Sequence, residues 1–165
     1  MKVSPADELV ALRQRYASDA ANGVPPHITI LFPFVPAAQL DELNLGLLRR
    51  VIGSFREFDF ALTTIGWFGD KVLWLAPENP SPFIDLTNAV TAAFPEYPPY
   101  GGVHDSSVPH ATVADSVDQQ QLDRAKNAVI PILPIETSVA ALTVIIEGTD
   151  GSWRELTEVP LSSRA

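Results

Sequence analysis

The pentapeptides Pro26-His27-Ile28-Thr29-Ile30 and Pro109-His110-Ala111-Thr112-Val113 hold two of the chain's three histidines in a single pattern. Each reads Pro-His-x-Thr followed by a β-branched aliphatic residue. The stretches His27 to Phe34 and His110 to Val113 are predicted strands, given their β-branched and aromatic content. Side chains two apart in a strand share a face. His27 is thereby expected to project with Thr29, and His110 with Thr112. Ile28, Ile30, Ala111 and Val113 then turn the other way, toward covering helices.

Working outward, each motif sits at the same point of a similar series of elements. Before the first, Ser4-Pro5 reads as a cap plus first-turn proline, and Leu9, Leu12 and Tyr16 form a helical stripe that fades at Asn22-Gly23. After it, Pro36 reopens a helix with Leu40, Leu43, Leu47 and Val51, ending near Gly53. Strands follow at Phe58 to Thr64 and Lys71 to Ala76, through a turn at Gly69-Asp70. The second half opens with Ser81-Pro82 and a stripe of Phe83, Leu86, Val90 and Ala93. A loop from Pro95 to Ser107 leads to the second motif. Asp118 then starts a helix carrying Leu122, Ala125 and Val129 and stopped by Pro131. Strands Glu136 to Glu147 and Ser152 to Val159 flank the Gly148-Thr149-Asp150-Gly151 turn.

The halves thus read helix, motif strand, helix, strand, strand, twice over. This degenerate repeat predicts an α+β fold of two pseudo-twofold lobes, residues 1–78 and 79–165, in a single domain. Two antiparallel sheets backed by helices would enclose a central cleft. Across that cleft the two histidines and two threonines would converge.

Composition narrows the function. The 165 residues carry a formal charge of −9 and no cysteine, which removes disulfides and thiolate metal sites. No lysine or arginine lies between Lys71 and Arg124. That is the wrong electrostatics for gripping long duplex nucleic acid. No apolar run approaches the ~20 residues of a membrane span, and the N-terminus turns acidic without a signal core. A monomeric cytoplasmic protein with a small anionic substrate is the expectation.

Paired histidines and threonines suit phosphodiester chemistry. Imidazole, with a free pKa of about 6.5, serves as base or acid near neutrality. One histidine deprotonates the attacking oxygen while the other protonates the leaving oxygen. Threonine hydroxyls donate to the non-bridging oxygens, where charge accumulates. Protons and hydrogen bonds cover both ends of the displacement, so neither metal nor cofactor is expected. His104, Asp105, His110 and Asp115 crowd one segment, but no recognised ligand spacing occurs and Asp115 falls on the strand face opposite His110. Further substrate-binding candidates are Tyr97 and Tyr100, which flank Pro98-Pro99 and could stack on a base. Arg15 is a candidate near a phosphate, and His104 one at the cleft rim.

Paired His-x-Thr strands in a bilobal repeat resemble the two-histidine phosphoesterase superfamily, which includes 2′-5′ RNA ligase-like proteins and cyclic nucleotide phosphodiesterases. Flanking stretches resemble its bacterial branch: Arg13-Gln14-Arg15-Tyr16, Gly23-Val24-Pro25-Pro26-His27-Ile28-Thr29, Leu31-Phe32-Pro33-Phe34, Phe94 through Gly102, and Gly148 through Trp153. The resemblance implies hydrolysis of 2′,3′-cyclic or 2′-5′-linked nucleotide phosphates or RNA ends. It also implies His110 as base and His27 as acid, an assignment the near-symmetric motif itself leaves open. Two other activities fit the same class, RNA 2′-5′ ligation and opening of a cyclic phosphate on an ADP-ribose derivative. A non-catalytic nucleotide-binding module is the third alternative. The family usually opens with an extended strand, for which only Met1 to Val3 are available here, so either the first lobe's sheet lacks a strand or the sequence starts late.

Overall fold

Burial alternates along β2 (Val72–Pro77), where Leu73 and Leu75 are fully buried and Trp74 turns to the opposite face. That alternation gives the main sheet one apolar face for helices and one face for a cleft. The computed structural model describes residues 1, 7–103 and 107–164. Around β2 lie β1 (Phe58–Phe68), β3 (Ala111–Ala114) and β4 (Ile135–Val139), in the order β3-β2-β1-β4, antiparallel throughout. A second sheet is the hairpin of β5 (Ala141–Glu147) and β6 (Trp153–Pro160). The fold is α+β with two antiparallel sheets, as the repeat predicts.

Among the described residues, four helices cover these sheets: α1 (Asp7–Tyr16), α2 (Glu42–Ile52), α3 (Ser81–Ala93) and α4 (Gln119–Val129). Helix α1 packs on β3 and α4, while α2 packs on α3 and β6. The rings of Phe58 and Phe60 on β1 meet Phe83 of α3 edge-on, at 5.3 and 4.9 Å between centroids. Such edge-to-face pairs add to the burial itself. The buried side chains of both sheets and all these helices form one continuous core.

Four sequence expectations change. Pro36 begins only a short 3-10 turn, Ala37–Gln39, and α2 starts after Asp41, whose carboxylate accepts from the Asn44 N–H. The buried stripe of α2 is consequently Leu45, Leu48 and Ile52, and Leu43 is 82% exposed. A capping carboxylate fixed the helix phase more firmly than apolar spacing did. The segment expected as one strand from Glu136 to Glu147 is two, β4 pairing with β1 and β5 with β6. The chain changes sheets at Ala140, whose carbonyl accepts from the Leu161 N–H at 2.8 Å.

Among the described residues, the segment expected as a strand from His27 to Phe34 holds only an isolated bridge, at His27. Met1 and Ile28 exchange two backbone hydrogen bonds, of 2.7 and 2.9 Å. Farther along, the Phe32 carbonyl accepts from the Tyr100 N–H, and Pro33 and Pro36 have no N–H to offer a ladder. Finally, the sheets do not divide at residue 78. The first-half strands β1 and β2 pair with β3 and β4 of the second half. The second-half hairpin β5-β6 stands beside the first motif, with Trp153 edge-on to Phe32 at 6.3 Å. Ser4 and Pro5, expected to cap α1, lie outside the described residues.

Candidate active site

Both motifs place their aliphatic residues as strand alternation requires. Ile28, Ala111 and Val113 are buried to 1% exposure or less, and Ile30 to 6%. With those side chains anchored, His27, Thr29 and Thr112 are left half-buried on the other side. His110 precedes β3 by one residue and is half-buried as well.

His27, Thr29, His110 and Tyr100 line one cavity of about 690 Å³ between the motifs and the β5 strand, large enough for a nucleotide-sized ligand. Thr112 lies two residues from His110 and opposite Trp74 in the β2–β3 ladder, but it is not part of the cavity wall.

The two imidazoles are held alike. Nδ1 of His27 donates to the Pro25 carbonyl at 3.0 Å, and Nδ1 of His110 donates to the Val108 carbonyl at 2.7 Å. A carbonyl only accepts, so Nδ1 carries the proton and Nε2 is the nitrogen free to exchange one. Both pKa values fall below the usual 6.5. Burial, reinforced by the positive charges of the Met1 amino group and Arg13, lowers His27 to about 4, against the opposing effects of the Pro25 bond and Asp19. Burial also lowers His110, partly offset by its bond to Val108. Both rings are therefore neutral at pH 7 in the unliganded protein.

Tyr100 reaches the cavity through an unusual backbone. Its φ of 52° lies in the left-handed region, followed by Gly101 and Gly102 at 65° and 77°. Its N–H donates to the Phe32 carbonyl at 2.6 Å, which ties this loop to the first motif. A non-glycine residue in that region persists only where its surroundings hold it. Burial raises the phenol pKa above 10.

Of the other candidates, Tyr97 and Arg15 are not brought to the cavity. Tyr97 packs against Phe34 at 6.4 Å and donates its hydroxyl to Gln39, away from the histidines. Arg15 is exposed and stacks over Tyr16, 5.3 Å from the ring centroid. His104 lies outside the described residues. Asp115 lines the cavity, but its carboxylate accepts from the backbone N–H and hydroxyl of Ser18 at 2.7 and 3.1 Å.

Sequence reasoning missed Arg13. It is 1% exposed; Nη1 donates to the Thr112 carbonyl, and Nη2 binds Asp19 at 2.7 Å. The guanidinium thus joins the second motif to an aspartate in the cavity wall. A signal was present: Arg13 falls four residues after Leu9 and three before Tyr16, inside the apolar stripe of α1.

A profile of the 2′-5′ RNA ligase superfamily matches residues 2–151. No curated protein sequence matches the chain significantly. Among solved structures, TT0787 of Thermus thermophilus superposes with a TM-score of 0.63 at 19% identity, covering 99% of this chain and 97% of that one. E. coli LigT in its apo form gives 0.55 at 18% identity, covering 97% and 94%. At such identities the superpositions speak for the fold, and the profile, which spans nearly all of the sequence, speaks for descent. This chain belongs to the 2′-5′ RNA ligase superfamily.

Proposed function

We propose that this protein is a metal-independent phosphodiesterase acting on 2′,3′-cyclic or 2′-5′-linked nucleotide phosphates, with His27 and His110 as its acid–base pair. The observation that carries the reading is that both imidazoles line one cavity with Nδ1 locked on a backbone carbonyl and Nε2 free.

His110 Nε2 takes the proton from the attacking water or hydroxyl, and protonated His27 delivers one to the leaving oxygen. The donor's part falls to His27 by the family resemblance, and its low pKa in the empty cavity means that it takes up its proton only once the phosphate is bound. The anionic phosphate supplies the charge that raises both imidazoles once it is bound. Thr29 donates its hydroxyl to a non-bridging oxygen, and Thr112, two residues from His110, is the second donor. Tyr100, held over the cavity from the opposite loop, offers its ring to a nucleobase. The substrate is a small nucleotide or an RNA end.

The test is hydrolysis of 2′,3′-cyclic nucleotides and 2′-5′ dinucleotides after dialysis against a chelator. Activity should survive dialysis. His27→Ala and His110→Ala should each lower turnover by about 10²-fold or more, the double variant adding little, as for groups acting as one unit. A single variant of near-normal turnover, or restoration by added metal only, would overturn the reading.

A further inference from the structure

His110 is enclosed by two aromatic rings that the proposed chemistry does not use. Phe68, at the end of β1, meets the imidazole edge-on, with centroids 4.8 Å apart and planes at 86°. Trp74 of β2 lies 5.9 Å from the same imidazole. The two rings also meet each other at 5.0 Å, so the three form a closed triangle. With Nδ1 held on Val108, the triangle leaves the His110 ring few orientations.

The sheet is shaped to admit this triangle. In the ladders Gly66 stands opposite Trp74, and Trp74 opposite Thr112, so the three share a row across β1, β2 and β3. The indole lies flat over Gly66. A Cβ there would stand 2.3 Å from two carbons of the ring, closer than any side chain tolerates. Glycine inside a strand weakens it and marks a close approach. Here the approach is that of the indole. The indole N–H is buried without a hydrogen-bond partner among the described residues, so the ring is placed for its shape and not for its donor. Neither Phe68 nor Trp74 lines the cavity, so neither is a substrate contact there.

We infer that Phe68 and Trp74, with Gly66 making room for the indole, are positioning residues that hold the His110 imidazole with Nε2 toward the reacting phosphate. The inference rests on the acid–base reading of His110. It predicts an effect on the chemical step: small errors in the placement of a proton-transfer group cost rate even when binding is kept.

Three variants test it. Phe68→Leu removes one ring at a position 39% exposed, so folding should survive. Phe68→Tyr keeps the ring. Gly66→Ala keeps both rings but denies the indole its seat. In the first and third, kcat on a 2′,3′-cyclic nucleotide should fall about 10-fold with KM within about twofold, while Phe68→Tyr stays near wild type. In proton NMR the His110 ring resonances should lose their ring-current displacement in Phe68→Leu and Gly66→Ala, and its titration should move up toward 6.5 as shelter is lost. The His27 resonances should not move. Unchanged kcat together with unchanged His110 resonances in folded Phe68→Leu would overturn the inference, and so would loss through KM alone. The NMR readout needs no turnover, so failure of the clamp and failure of the phosphodiesterase reading are distinguishable.

Discussion

At the residue scale, the duplicated Pro-His-x-Thr marked the candidate site because two coincident imidazoles need no fold to be noticed. Their electrostatics sets a pH dependence. The value of kcat/KM reports the free enzyme, which must hold one imidazole protonated and one neutral. Above both pKa values both rings are neutral and the acid is missing; below both, the base is. With His27 lowered to about 4 and His110 also below 6.5, kcat/KM should peak below pH 6.5 and fall as pH rises through 7. The alkaline limb of kcat should lie at higher pH, since a bound phosphate anion raises both imidazoles. Steady-state profiles from pH 4 to 9 measure this; a kcat/KM still climbing above pH 7 contradicts it. Arg13 makes a second prediction. Arg13→Met leaves Asp19 and the Thr112 carbonyl without their donor and should cost about 2–3 kcal/mol in denaturant unfolding. Arg13→Lys keeps the charge, but a single ammonium cannot replace the fork between the two acceptors. Its turnover, measured where it is fully folded, should drop several-fold. Sequence reading named Arg15 and passed over Arg13, although both are helical arginines. Only the packing of α1 on β3 separates the buried one from the exposed one.

At the element scale, helices were more legible than strands wherever a cap marked them. Asp118 caps α4 with both halves of a capping box, its carboxylate accepting from the Gln121 N–H at 2.8 Å and the Gln121 amide oxygen accepting from the Asp118 N–H at 3.2 Å. The buried residues of α4, Leu122, Ala125 and Val129, are those the sequence stripe names. Asp118→Ala should therefore lower the urea midpoint by the equivalent of about 1 kcal/mol with an unchanged m-value. Turnover at 25 °C should stay put, because α4 packs behind the sheet on β2 and β3, away from the cleft. A loss of turnover larger than the loss of folded protein would show that α4 reaches the site. The strands were less legible. Burial falls on Ile135 and Val139 in β4 and on Leu142 and Val144 in β5, a change of phase that the apolar run Val139-Ala140-Ala141-Leu142 hides in the sequence. Pairing partners decide it, and those lie at β1 and β6, far along the chain.

At the scale of the whole molecule, charge limits the substrate. The net −9 and the absence of lysine and arginine from Val72 to Asp123 leave added phosphates without cationic partners. Repulsion from acidic surface extends about 8 Å at physiological salt. Catalytic efficiency should be flat or falling from mononucleotide to oligomer, and added salt should favour the oligomers. A steep rise with RNA length that disappears as salt is raised would reveal a cationic track elsewhere. The pseudo-symmetry of the halves was legible as a repeat of element order; the exchange of strands between them was not, because it depends on which edges meet in space.

That exchange has a bearing on how the two halves assemble. The second motif joins the edge of β2 from the first half, and the β5-β6 hairpin of the second half stands beside the first motif, so each half lends the other its neighbours. Cut at residue 78, the two pieces should stay unfolded apart and recover activity when mixed, each restoring the other's missing edges.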